Sequence, residues 1–190
     1  MTGIVPLSRH FQNLPVILDI GFGMGDATLR QAQQHPDAGI LAIDVHTPGV
    51  GKLLAELESQ GITNVRVVEG DALALLHDEL PNASLIGIRT YFPDPWPKTR
   101  HHKRRIVSPA NLDAFAAKLQ PGGFLHFATD WQHYADAARD LLSAHPGFDL
   151  QPDDVVLPYA SRDSRPLTKF ESRGRAAGRP ITDLIAVRTT

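Results

Sequence analysis

The chain contains no cysteine. That absence removes disulfides, thiolate metal sites and cysteine nucleophiles together, and it fits a chain kept in a reducing cytoplasm. Long apolar runs are missing too: none approaches the roughly 20 residues that a membrane-spanning helix needs. Residues 1–15 have no basic segment followed by an apolar core, so no secretory signal is expected. Net charge is close to absent, at −2 over 190 residues. That balance conceals two basic segments. Residues 98–105 (KTRHHKRR) carry +5 and residues 162–179 carry +4, which leaves −11 on the rest. An acidic body with two basic stretches can hold a polyanion at one place and repel it elsewhere.

Apolar residues are plentiful, at 42%, and the length suits a single domain over 1–190 with a substantial core. Strand-like runs alternate with amphipathic stretches. Strands are expected at 16–20 (VILDI), 40–45, 65–69, 84–91 and 124–128, with two more at 148–150 and 181–187. Helices are expected at 26–34, 52–60, 72–80, 109–119 and 131–144. Thr47-Pro48-Gly49 reads as a turn, Leu53, Leu54 and Leu57 as one helical face, and Gly61 as a helix end. Ser108-Pro109 is a helix start, with serine as N-cap and proline at the first position. Residues 1–15 form a short N-terminal segment, 151–167 is expected to be a mobile loop, and a basic helix follows from Thr168. The alternation implies an α/β fold: a doubly wound, mostly parallel, Rossmann-like sheet of about seven strands with helices on both faces. In such sheets ligands bind at the carboxyl ends of the strands.

The loop after the first strand, Gly21-Phe22-Gly23-Met24-Gly25, has the glycine spacing of a nucleotide loop, which by itself is weak evidence. Asp19 adds more. A carboxylate there would repel a pyrophosphate and attract an ammonium group. Gly21 and Gly23 let the backbone approach a ligand closely. Asp44 ends the second strand, where an acid commonly accepts hydrogen bonds from ribose hydroxyls, and Asp71 follows the third, where it could meet an adenine amino group. The loop after the fourth strand is Tyr91-Phe92-Pro93-Asp94-Pro95-Trp96-Pro97-Lys98. Alternate prolines exclude helix and stiffen the backbone around Asp94. Trp96 offers a face for stacking a base, worth about 1–3 kcal/mol in single-strand binders. Arg100, His101, His102, Lys103, Arg104 and Arg105 follow at once, suited to phosphates. The side chains of the adjacent histidines diverge and no acid lies near them, so no metal is expected.

These residues, with Ala128-Thr129-Asp130-Trp131 and Thr168-Lys169-Phe170-Glu171, resemble the bacterial tRNA (guanine-N7-)-methyltransferase family. The PDPWPK…KRR and TKFE segments are the specific matches. The resemblance implies a class I methyltransferase fold. It implies transfer of the methyl group of S-adenosylmethionine to N7 of a guanine in the tRNA variable loop (position 46). It assigns the cofactor to Asp19, Asp44, Asp71 and Asp94, the guanosine or its surroundings to Lys98, Asp130, Thr168 and Glu171, and RNA to the 100–105 run. Asp94 is the catalytic candidate. The partner implied is tRNA in the cytoplasm, without membrane or obligatory protein partner, as monomer or homodimer. Two features depart from the family: aspartate stands at 19 and 44 where glutamate is common, and the N-terminus is short. Two rival readings are an amino-group methyltransferase, because Asp94-Pro95-Trp96 approaches the acid-Pro-Pro-aromatic loop of those enzymes, and a non-catalytic RNA-binding protein on the same fold.

Overall fold

The computed structural model describes residues 6–163, 165 and 167–190. Residues 1–5 of the N-terminal segment, and 164 and 166 of the 151–167 stretch, lie outside the described residues. In chain order the elements are α1 (Leu7–Phe11), β1 (Val16–Ile20), α2 (Asp26–Gln34), β2 (Gly39–Asp44), α3 (Thr47–Ser59), β3 (Val65–Glu69) and α4 (Ala72–Ala74), which continues as a π-helical turn (Leu75–Glu79). Then come β4 (Leu85–Tyr91), a 3-10 turn (Thr99–Arg104), α5 (Pro109–Lys118), β5 (Leu119–Thr129), α6 (Gln132–Ala144), β6 (Phe148–Leu150), β7 (Val156–Leu157), β8 (Ala160–Ser161), α7 (Lys169–Ala176) and β9 (Thr182–Arg188).

Seven strands form one sheet in the order β3-β2-β1-β4-β5-β9-β6. The first five are mutually parallel, and β9 runs antiparallel to both β5 and β6. The chain leaves β1 toward β2 on one side and returns to β4 on the other, so a crevice opens at the carboxyl ends of β1 and β4. All five residues of β1 are buried, as a strand covered on both faces requires. Its period-two alternation sends Leu18 and Ile20 to one face and Ile17 to the other. The first face packs against α1, the π-helical turn, α5 and α6 through Phe11, Leu76, Phe115 and Leu142. Opposite it, Ile40, Ala42 and Val65 meet Leu29, Leu53 and Leu57 of α2 and α3. Farther along that second face Ile17, Phe124 and Ile185 pack under Ala160.

Several boundaries differ from the sequence reading. Thr47-Pro48-Gly49 opens α3 instead of forming a separate turn, because proline is tolerated where the first helical N–H groups have no partner. Gly49 is required there: a Cβ would lie 1.8 Å from the carbonyl oxygen of Gly23. Leu54 is 50% exposed while Leu53 and Leu57 are buried. Residues 53 and 57 are one turn apart, and 54 lies about 100° round the helix. β5 begins at Leu119, five residues early, because Pro121-Gly122-Gly123 is absorbed as an irregularity: Leu119 pairs with Leu85, and Phe124 with Gly87. Within 151–167 the chain forms the β7–β8 hairpin. Tyr159, at its turn, accepts a hydrogen bond from Arg89 Nη2 at its carbonyl and donates from its hydroxyl to Asp37 at 2.7 Å.

Candidate active site

A cleft of about 670 Å³ opens at the crevice between β1 and β4, within the range of small-molecule sites. Asp19, Asp44, Asp94 and Thr168 all line it, together with Gly21 and Gly23. The glycine loop forms its floor. Gly21 and Gly23 have φ of 75° and 59°, a region other residues enter at a cost, and a Cβ on either would meet no atom within 4 Å. The backbone there faces open space. Gly25 is instead the N-cap of α2 and packs on Leu53.

Of the four carboxylates on this cleft, Asp26 pairs with Lys52, and the three marked by the sequence are held differently. Asp44 grips the loop: Oδ2 accepts from the Gly23 N–H at 2.6 Å and Oδ1 from the His46 N–H at 2.9 Å. Asp19 is buried and accepts from the Thr28 hydroxyl at 2.7 Å. Burial pushes its carboxyl above the ordinary range, against the opposing pull of Thr28 and of Arg89, its in-register neighbour on β4. Asp94 is exposed. Its loop is set by two non-glycine residues at positive φ, Phe92 (53°) and Trp96 (45°). The Phe92 N–H donates to the Ala128 carbonyl at 2.7 Å, and the Pro95 carbonyl accepts from Arg105 Nε at 2.9 Å.

Apart from Thr168, the remaining site candidates fall elsewhere. Asp71 caps α4, accepting from the Leu73 N–H at 2.8 Å, and is not among the residues lining the cleft. Lys98 is exposed and precedes the 3-10 turn. Asp130 pairs with Arg179 at 2.8 Å. Thr168 is the N-cap of α7, accepting from the Glu171 N–H at 3.1 Å. Glu171 is only 2% exposed and forms ion pairs with Arg165 and Arg175. In the basic run, Arg100, Lys103 and Arg104 are exposed, and His101 and His102 half-buried. Arg105 turns inward at 4% exposure, stacks 4.5 Å above the Tyr134 ring, and has its pKa lowered by burial. Trp96 is half-buried: Arg104 lies 4.9 Å over one face of its ring, and the His101 ring meets it at nearly a right angle.

Sequence reasoning missed the groups beneath the cleft. Tyr91 donates from its hydroxyl to His126 Nδ1 at 3.1 Å, and His126 Nε2 donates to Asp183 at 2.9 Å. Burial lowers the pKa of His126 despite the carboxylate, which favours the neutral imidazole. Burial works to raise Asp183, but His126 and Arg165 outweigh it and hold the carboxyl below its ordinary value. These residues are scattered through strands that read as apolar, and only their shared sheet face joins them. Phe22, Val45 and Ile106, which give the cleft its apolar walls, were also unmarked; Val45 is 72% exposed at the end of β2.

The arrangement suits an adenine nucleoside carrying a methionine group. A cationic ligand meets carboxylates at three strand ends, an approachable backbone at Gly21 and Gly23, and apolar side chains flanking both. The described residues include no helix long and apolar enough to cross a membrane.

Residues 13–184 match the model of a methyltransferase family described as "Putative methyltransferase". The chain is 53% identical over 182 residues to the tRNA (guanine-N(7)-)-methyltransferase of Streptomyces avermitilis, covering 94% of this chain and 62% of that protein. It is 46% identical over 175 residues to the enzyme of the same name from Chromohalobacter salexigens, covering 92% of this chain and 71% of that one. The chain thus spans about three-fifths to seven-tenths of the length of these relatives. Among solved structures, the 16S rRNA methyltransferase KamB superposes with a TM-score of 0.70 at 16% identity, over 98% of this chain and 95% of that one. The expected Rossmann-like fold is therefore that of class I methyltransferases. By its glycine loop, its PDPW loop and this extent of identity, the chain belongs to the tRNA (guanine-N(7)-)-methyltransferase family.

Proposed function

We propose that this chain methylates N7 of a guanine in the variable loop of tRNA (position 46), in the cytoplasm, using S-adenosylmethionine. The observation that carries this reading is the meeting of Asp19, Asp44 and Asp94 on one cleft, with the basic 3-10 turn beginning five residues after Asp94. S-adenosylmethionine supplies an electrophilic methyl carbon on a sulfonium centre. Guanine N7 carries a lone pair and no proton, so no general base is needed before attack. The protein's task is alignment and exclusion of water.

In this reading Asp19 meets the ammonium of the methionine moiety. Asp44, both of whose oxygens already hold backbone N–H groups, keeps lone pairs for ribose hydroxyls. Asp94 stands at the mouth of the cleft, where a carboxylate can hydrogen-bond the N1/N2 edge of guanine and offset the positive charge that the ring acquires. Thr168 lines the same cleft. Arg100, Lys103 and Arg104 are the exposed cations available for phosphates. A base stacking on the Trp96 face that Arg104 covers would displace that guanidinium or share the ring with it.

Incubation with unmodified tRNA and labelled donor, followed by nucleoside analysis, tests the reading. Label in 7-methylguanosine is expected, with chain cleavage at that site after reduction and aniline treatment. Label in an amino-methylated nucleoside, or none with an intact tRNA substrate, would overturn it.

A further inference from the structure

Arg165 belongs to none of the motifs that mark the site, yet three elements meet on it. Its Nε and Nη2 donate to the two carboxylate oxygens of Asp183 on β9, at 2.7 and 3.1 Å, and Nη1 donates to Glu171 of α7 at 2.5 Å. Its guanidinium carbon lies 5.2 Å from the centre of the Phe92 ring and 5.6 Å from that of Tyr91. The side chain is buried; burial opposes its charge, and the two carboxylates more than restore it. Asp183 also receives His126, which receives the Tyr91 hydroxyl. The two residues leading into the PDPW loop are therefore tied to one guanidinium–carboxylate group, Phe92 by its ring contact and Tyr91 by both its ring contact and the His126 relay.

The same group reaches a second lining residue of the cleft, from α7. Glu171, held by Arg165, donates its N–H to Thr168, and Thr168 lines the cleft. Phe92, held at positive φ beneath the guanidinium, lines it two residues before Asp94. A lysine at 165 could satisfy one carboxylate but offers no planar face to Phe92 and no fork for Asp183.

We propose that Arg165 is a positioning residue: its guanidinium clamps the Tyr91-Phe92 stem of the PDPW loop to β9 and to the start of α7, and so fixes Asp94 and Thr168 relative to each other. The kinetic arm of its test rests on the methyltransferase reading above; the spectroscopic arm does not. The variants are Arg165→Lys and Phe92→Leu, each also made with Trp131→Phe so that Trp96 is the single tryptophan. Arg165→Lys is expected to lower the thermal unfolding midpoint, since one buried carboxylate loses its cation, yet to stay folded at assay temperature with S-adenosylhomocysteine affinity near that of the parent. It should lose about 100-fold in kcat on tRNA, the scale of an ångström-sized misplacement, with KM for the donor little changed. Trp96 anisotropy should fall. Parent-like kcat and Trp96 anisotropy in Arg165→Lys would overturn the proposal. If that variant unfolds, Phe92→Leu decides, because it keeps both ion pairs: lost kcat and a loosened Trp96 support the clamp, and parent-like values refute it. Unfolding of both would also refute it, since Arg165 would then serve the core and not the loop. A parent chain inactive on tRNA would defeat the methyltransferase reading, while the Trp96 comparison would still test the clamp.

Discussion

Asp19 is a carboxylate that the fold itself does not favour in its charged form. Its pKa is raised by burial, so the folded chain keeps a proton that the unfolded chain releases. Between the unfolded and folded pKa values, rising pH therefore removes stability. Asp19→Asn should raise the melting temperature at neutral pH, as the buried charge is gone while the Thr28 hydroxyl can still find the amide oxygen. The same substitution should abolish tight S-adenosylhomocysteine binding. Calorimetry on one preparation reads both. A variant that loses stability and binding together would instead make Asp19 a structural residue. Asp94 predicts the opposite pattern. It is exposed, so Asp94→Ala should leave unfolding unchanged while most of kcat disappears and tRNA affinity persists; near-normal turnover would remove Asp94 from the chemistry. Gly49 gives a third case. Gly49→Ala forces a methyl group onto the Gly23 carbonyl, and about 1–3 kcal/mol of stability should be lost in denaturant titrations, with weaker donor binding because the glycine loop shifts.

At the scale of elements, the basic turn divides its labour. Arg100, Lys103 and Arg104 are exposed, whereas Arg105 braces the PDPW loop at the Pro95 carbonyl. Replacing any of the first three by glutamine should lower tRNA affinity and reduce the salt slope by about 0.7–0.9 for each phosphate left without its cation. Arg105→Gln should chiefly lower thermal stability and kcat, with little effect on that slope. A full unit of slope lost in Arg105→Gln would contradict its inward placement. The sequence could not separate these roles. A run of cations reads as one solvated patch, and only the 3-10 turn, which ends at Arg104, swings Arg105 under the loop. β1, α2 and β3 were legible to the residue because their apolar periods and flanking glycines agree. The start of α3 was not, because Thr47-Pro48-Gly49 carries the same residues whether it turns the chain or opens a helix. Glu171 illustrates the limit for the site: motif matching marks the residue, but not that both its oxygens are committed to arginines.

Across the whole molecule, the second face of the sheet carries a polar seam through an otherwise apolar core. Asp19, Arg89, Tyr91, His126 and Asp183 lie side by side on β1, β4, β5 and β9, and Arg165 closes the row. Its pH response mixes two signs: Asp19, with a raised pKa, gains stability as pH falls, whereas His126 and Asp183 lose it. His126 has a folded pKa below the ordinary imidazole value, so the unfolded chain binds more protons in that window, and stability falls as pH drops through it. Asp183, held below its ordinary value, adds a further loss at lower pH as it protonates. Mild acidification should therefore lower the denaturation midpoint through His126, and in an Asp19→Asn background, where the opposing titration is gone, that decline should stand alone. In that background His126→Gln should flatten the upper part of that decline, leaving the contribution of His35, which is shifted in the same direction. An unchanged profile in the variant would exclude His126 as its source. The fold class was legible at this scale from strand–helix alternation alone, yet the seam was not, because alternating strands hide which polar residues become neighbours.

β9 enters the sheet between β5 and β6, although it follows β6 in the chain. During synthesis β6 emerges with no strand to receive it, and β5 presents a bare hydrogen-bonding edge until residues beyond 181 arrive. A ribosome-stalled or truncated product that stops before β9 would therefore carry the nucleoside crevice nearly whole but an open, adhesive flank. Such fragments should be recovered with chaperones or in aggregates, and supplying the missing strand as a peptide should return them to solution.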